Sequence, residues 1–133
     1  MSERVAFLLD ENISFRIALA LQEMGEPIRS VERHPSLGRG TPDEEILRFC
    51  AERRNTLITL DRRMKATPHL DALMREAGVG VFFVHSGRKA PPAPWTIFAM
   101  LVKHWIEMKR LAEDLEPPFA RLVRPTGAIR TFR

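Results

Sequence analysis

The sequence predicts an α/β fold with helices packed on both faces of a mostly parallel central sheet, and three observations carry that expectation. Short, nearly unbroken apolar runs recur along the chain, as in strands buried on both faces. Between them lie segments whose apolar residues return at three- and four-residue spacing, as on amphipathic helices. The two patterns alternate, which implies parallel strands joined by helical crossovers. At 133 residues, 44% hydrophobic and 29% charged, the chain suits one globular domain and excludes disordered, collagen-like and coiled-coil classes.

The first run, Arg4 to Leu9, reads as a buried strand that stops at Asp10-Glu11-Asn12. Ile13, Ile17, Ala20, Leu21 and Met24 then follow helical spacing up to Gly25 and Pro27. Ile28 to Val31 is a second strand, and the Pro-, Gly- and Arg-rich residues 32–40 form a loop. Thr41-Pro42-Asp43-Glu44 reads as a helix start, with Thr41 as the cap and Glu44 closing a capping box. Thr56 to Leu60 is a third strand, again ended by an acid, Asp61. Thr67-Pro68 opens another helix, and Val79 to Val84 is the fourth strand. Residues 85–95 hold Pro91, Pro92 and Pro94 and form a loop, a candidate lid. A long helix through Ile97, Leu101, Trp105, Met108 and Leu111 must stop by Pro117-Pro118, and Phe119 to Val123 reads as a short edge strand.

Charge divides by position. Residues 1–116 carry 17 basic and 17 acidic side chains, so the formal +4 comes entirely from Arg121, Arg124, Arg130 and Arg133. That division sets the domain expectation: residues 1–124 as the folded unit and 125–133 as a basic C-terminal tail. The tail could track nucleic acid, dock on an acidic protein segment, or simply fray. With one cysteine, Cys50, no internal disulfide can form, and a cytoplasmic location is expected. No segment is apolar enough to span a membrane.

The strand ends carry the chemistry. Asp10 and Asp61 each terminate a strand at what right-handed crossovers make a single carboxyl edge, where open α/β sheets bind ligands. Asp43 opens a helix that can face the same edge. Taken singly, Asp10 could cap a helix, Asp43 could answer a helix dipole, and Asp61 could pair with a neighbouring arginine. Together the three would repel one another unless a cation neutralised them, and a hard ion such as Mg²⁺ or Mn²⁺ suits oxygen ligands. Glu11 and Glu44 can complete such a shell. Asn12 can orient a water or a carboxylate, and Arg39, Arg62, Arg63 and Lys65 can hold a phosphate backbone.

Other constellations are weaker. His34, His69, His85 and His104 lack the spacing of a zinc site. Ser14, Ser36 and Ser86 occupy no nucleophile elbow, and Gly38-Arg39-Gly40 is too short for a dinucleotide fingerprint. Trp95 and Trp105 fit packing better than base stacking.

Leu8-Leu9-Asp10-Glu11-Asn12, Thr41-Pro42-Asp43-Glu44-Glu45-Ile46-Leu47, Leu57-Ile58-Thr59-Leu60-Asp61-Arg62-Arg63 and Ala77 to Val84 resemble the compact PIN-like proteins, closest to the VapC-type toxin-like branch. The likeness covers roughly residues 5–124. It implies a compact three-layer sandwich and a Mg²⁺- or Mn²⁺-dependent endoribonuclease, the toxin of a toxin–antitoxin pair. By motif, it assigns Asp10, Asp43 and Asp61 as the catalytic, metal-binding acids, with Thr59 in the Thr-x-Asp motif beside the substrate. Fuller PIN domains carry a further acid between the first two. Here Gly25 to Gly40 fills that interval, with only Glu26 and Glu32 as substitutes, so a single metal, or a site completed by Glu11 or Glu44, is expected. The implied partners are RNA, an antitoxin and a second copy of the chain.

Two other classes fit parts of the pattern. A receiver-like phospho-acceptor domain would use the Asp10-Glu11 pair, Asp61 as acceptor and Ser86 as the hydroxyl, but it needs a lysine after a fifth strand. A non-catalytic RNA- or protein-binding module would rely on the basic tail and the aromatic helix.

Overall fold

The computed structural model describes residues 5–133. Eleven elements are set within them: β1 (Ala6–Leu9), α1 (Phe15–Glu23), β2 (Ile28–Ser30), α2 (Asp43–Arg53), β3 (Asn55–Thr59), α3 (Arg63–Ala66), α4 (Pro68–Ala77), β4 (Gly80–Val84), α5 (Pro94–Asp114), β5 (Phe119–Val123) and β6 (Arg130–Thr131). One six-stranded sheet runs in the order β2-β1-β3-β4-β5-β6, parallel throughout except for the last pair. This is the expected α/β sandwich with a mostly parallel sheet. Arg4, included in the first expected strand, lies outside the described residues.

Side chains along each strand alternate between two cores, as a period of two requires. Phe7, Leu9, Ile58, Phe82, Val84 and Val123 point to one face, where α1 and α5 cover them. Leu8, Leu57, Val81 and Phe83 point to the other, beneath α2, α3 and α4. A helix on each face removes water from strands that are apolar on both sides, which stabilises each fully buried large side chain by about 1.5–3 kcal/mol.

The layers also fix the chain's path. From β1 to β2 the chain moves one way across the sheet, with α1 on the first face. From β2 through β3 to β4 it moves the other way, with α2 and α4 on the second face. The β4-to-β5 step continues in that direction, yet α5 lies on the first face. This connection therefore has the opposite hand to the other three, an uncommon arrangement. Its consequence is local: the loop leaving β4 shares a cleft with Asn12, Leu60 and Asp61 at the ends of β1 and β3.

Four expectations need correction. Thr41 does not cap α2; its hydroxyl donates to the Gly38 carbonyl (2.8 Å), the helix begins at Asp43, and Pro42 at the cap offers no side-chain hydrogen bond. No capping box forms, because Glu44 turns to His69 (3.1 Å) instead. Strand β5 is not an edge, since β4 and β6 flank it. The last residues do not fray: the Phe132 N–H donates to the Ala120 carbonyl (2.9 Å), and its ring packs edge-on against Phe83 (4.9 Å between centroids). At the start of β4, Gly80 is required by close approach, because a Cβ there would collide with the Phe119 ring.

Candidate active site at the strand carboxyl edge

The order β2-β1-β3 puts the sheet's switch point at the carboxyl ends of β1 and β3, the position where such sheets take ligands. Asp10 sits there, directly after β1. Leu9 faces the α1 core, so Asp10 alternates toward the α2 side, as does Thr59 at the end of β3. The two meet: the fully buried Thr59 hydroxyl donates to Asp10 Oδ2 (2.7 Å), and the Glu11 N–H donates to Oδ1 (2.8 Å). Asp10 does not cap α1; Ser14 does, accepting from the Arg16 N–H at 3.3 Å.

Thr59 is saturated. Besides donating to Asp10, its oxygen accepts from Asn12 Nδ2 (3.2 Å) and from the Asp61 N–H (3.0 Å). Its hydroxyl is thus committed to Asp10, Asn12 and Asp61. Asn12 closes the bridge between strand ends, because its Oδ1 accepts the Leu60 N–H (3.2 Å).

The acids repel one another. Burial first, then the charges of Asp43 and Glu11, raise the Asp10 carboxyl above the ordinary carboxylate range, despite the opposing hydrogen bonds from Thr59 and Glu11. Asp43, at the start of α2, is raised by burial, then by Asp61, Glu44 and Glu11, with only Arg63 opposing. Asp43 thus feels Asp61, Glu44 and Glu11, and Asp10 feels Asp43 and Glu11, across one edge. Asp61 is half-buried; its Oδ1 accepts the Arg63 N–H (3.0 Å) and pairs with Arg63 Nε (3.3 Å). That ion pair is exposed on the arginine side and contributes little.

The remaining candidates divide clearly. Glu11 Oε2 accepts the Gly40 N–H (2.9 Å), so Glu11 pins the loop that leads into α2. Glu44 is occupied with His69. Lys65 pairs with Asp71 (3.0 Å) on α4, and Arg39 pairs with Glu32 (2.6 Å). Glu32, one of the two acids in the Gly25 to Gly40 interval, is thus held by Arg39. Glu26 accepts from Trp105 Nε1 (2.7 Å) and pairs with Lys109 (2.8 Å) near the opposite ends of the strands, away from this edge. Arg62 lines the open cleft beside Asp61.

Among the described residues, no three His, Cys, Asp or Glu side chains form a closed metal-ligand group. The tight trio expected from the sequence is therefore looser than anticipated: the acids are coupled by charge but not gathered into a ready-made cage. In chemistry the donors still fit a hard dication. They are carboxylate oxygens, they outnumber the nearby cations, and their mutual repulsion is what such an ion would relieve.

Sequence reasoning overlooked the far side of this edge. His85 directly follows β4, and its N–H donates to the Val123 carbonyl (2.9 Å). Burial first, then the guanidinium groups of Arg62 and Arg124, hold its imidazole below the ordinary range. The rule that singled out Asp10 and Asp61, a polar residue ending an apolar run, picks out His85 equally well.

A parallel α/β sheet with coupled acids at its switch point defines a class of edge-site α/β proteins. A family model described as a PIN-like domain matches residues 5–86, and the chain belongs to that family. PIN-like domains form a nuclease superfamily whose members typically bind Mg²⁺ or Mn²⁺. No curated protein and no solved structure matches the chain. No helix among the described residues is long and apolar enough to cross a membrane.

Proposed function

We propose that this PIN-like protein is a divalent-metal-dependent endoribonuclease of the VapC-type toxin-like branch, acting as the toxin of a toxin–antitoxin pair. The observation that carries the proposal is the Thr59–Asp10 hydrogen bond. It fixes a buried carboxylate across two strand ends, within the electrostatic reach of Asp43 and Glu11. A raised, under-compensated carboxylate costs stability, and such a cost at a ligand-binding edge is characteristic of a functional site.

Asp10, Asp43 and Asp61 would hold the ion. When bound, Mg²⁺ or Mn²⁺ supplies Lewis-acid stabilisation of a phosphoryl group and acidifies a water. The chain's own residues do the rest. Thr59 and Asn12 lock the Asp10 carboxylate and the two strand ends in one geometry, so little reorganisation remains when substrate arrives. Glu11 holds the loop that presents Asp43, and Arg62 meets the backbone charge of the RNA.

The test is cleavage of a panel of RNAs by purified protein with Mg²⁺ or Mn²⁺, against EDTA and an Asp10→Asn control. Metal-dependent cleavage lost in the folded variant supports the reading. Binding without cleavage in either ion would make the chain a non-catalytic binding module instead.

One observation favours a second reading. The strand order is that of flavodoxin-like folds, and Ser86 and Arg124 follow β4 and β5 where a receiver-like domain places a hydroxyl and a cation. Labelling of Asp61 by a small phosphodonor would support it; the nuclease reading predicts none. Arg130 and Arg133, exposed on and beyond β6, suit an acidic antitoxin segment. Trp95, Val102 and Ile106, exposed along α5, suit a homodimer contact, which the mass in solution would test.

A further inference from the structure

Past Asp61 the sign of the charge along the edge reverses. An open cleft of about 680 Å³ separates the Arg62–Arg63 turn from residues 85–92. Arg62, Arg88 and Lys89 line it, and among the described residues none of these three side chains has a hydrogen-bond or ion-pair partner. Several cations elsewhere are paired, among them Arg39 with Glu32, Lys65 and Arg75 with Asp71, Lys109 with Glu26 and Arg110 with Glu107, whereas others such as Arg16, Arg29 and Arg48 are unpaired among the described residues but do not line this cleft. Unpaired like charges around a concave surface focus a positive potential and attract an anion.

Two further observations agree. His85 also lines the cleft, and its imidazole is held low first by burial and then by Arg62 and, from beyond β5, Arg124. Pro91 and Pro92 stiffen the loop, which lowers the entropy lost when it grips a ligand. The family match ends at residue 86, so Arg88 and Lys89 lie just past the matched residues.

We propose that this cleft is a subsite for a phosphate of a polynucleotide strand, gripped by Arg62, Arg88 and Lys89 one step along the edge from the acid cluster. Guanidinium groups offer paired donors to phosphate oxygens, and the lysine adds a point charge. The volume falls within the range of ordinary ligand pockets and suits a short stretch of single strand. The identity of the strand as RNA rests on the nuclease reading, but the grip itself needs no divalent ion. A phosphate entering here would offset the positive field and let His85 accept a proton. The charges lining the cleft with it are Asp61, Arg62, Arg63, Arg88 and Lys89, and Arg124 acts on it from beyond β5.

The experiment measures binding of a short fluorescent oligoribonucleotide in EDTA over a salt series. The double variant Arg88→Gln/Lys89→Gln should bind about tenfold more weakly at low salt, with the log–log salt slope reduced by about 0.7 for each phosphate no longer neutralised. Arg110→Gln, which removes a charge from α5 outside the cleft, should change neither. His85→Gln should keep the affinity measured at about pH 8 but lose the tightening expected as pH falls through the imidazole range. A double variant that binds like wild type, or an Arg110→Gln loss equal to it, overturns the proposal. Cleavage is scored separately with Mn²⁺. An altered salt slope without any cleavage supports the subsite while removing the nuclease, and cleavage with an unaltered slope does the reverse.

Discussion

The strand carboxyl edge has two halves that differ in sign and in the way the fold holds them. On the β1/β3 side, burial first and then the charges of neighbouring acids raise the Asp10 and Asp43 carboxyls. Their scaffold is rigid: Asp10 is bonded to a buried threonine, Asn12 bridges two strand ends, and Glu11 ties down a loop. Across the cleft toward β4, Arg62 after β3 and Arg88 and Lys89 after β4 are unpaired among the described residues, and the last two ride on an exposed loop. The difference teaches a division of labour. On the proposed reading, the acids would need fixed geometry, whereas the cations would act at a distance because Coulomb forces fall off slowly.

The largest effect expected is on the acid half. Asp10→Asn should lower metal-dependent cleavage by roughly 100-fold or more while circular dichroism stays native. A variant that retains activity would place the chemistry elsewhere. Next comes the scaffold. Thr59→Val removes a buried hydroxyl of matched shape and strands its three partners, and should cost about 1–3 kcal/mol in chemical denaturation. It should also lower kcat more than KM, and Thr59→Ser should restore both. If Thr59→Val were silent, Asp10 would be held by something other than this hydrogen bond.

A smaller effect concerns pH. The folded-state pKa of Asp43 is raised above its unfolded value, so its stabilising contribution is full below about pH 3.9 and is lost as pH rises through the folded pKa. At neutral pH the ionised group is a net burden. Asp43→Asn should therefore raise Tm at about pH 7, by a few degrees at most because the side chain is half-exposed. The gain should shrink toward about pH 3.5, and a constant gain would mean that charge is not its source. Excess Mg²⁺ should narrow the same gap by stabilising only the wild type. The smallest effect belongs to the rim: Arg130→Gln/Arg133→Gln should change antitoxin or RNA affinity by a few-fold at low salt and not at high salt.

How much of this was legible in the sequence follows from the range of each interaction. Apolar runs ending in Asp10 and Asp61 mark strand ends because a buried strand cannot continue through an unpaired charge. The Pro and Gly punctuation marks the loops for similarly local reasons. What local pattern cannot carry is adjacency. That β1 lies beside β3, so that Thr59 meets Asp10, depends on a crossover over 40 residues long. Lys65 shows the same limit, since only the α3–α4 turn reveals that Asp71 claims it. Helix α3 escapes the sequence pattern because four residues are too few to show periodicity. Strand β6 escapes it because its pairing with β5 is made by an exposed Arg-Thr pair without an apolar pattern.

The most direct test of the account is where a divalent ion sits. Substoichiometric Mn²⁺ added to isotopically labelled protein should broaden the amide signals around Asp10, Asp43 and Asp61 first, and Asp10→Asn should weaken that broadening. Broadening centred on another part of the surface, or spread evenly over exposed carboxylates, would contradict it.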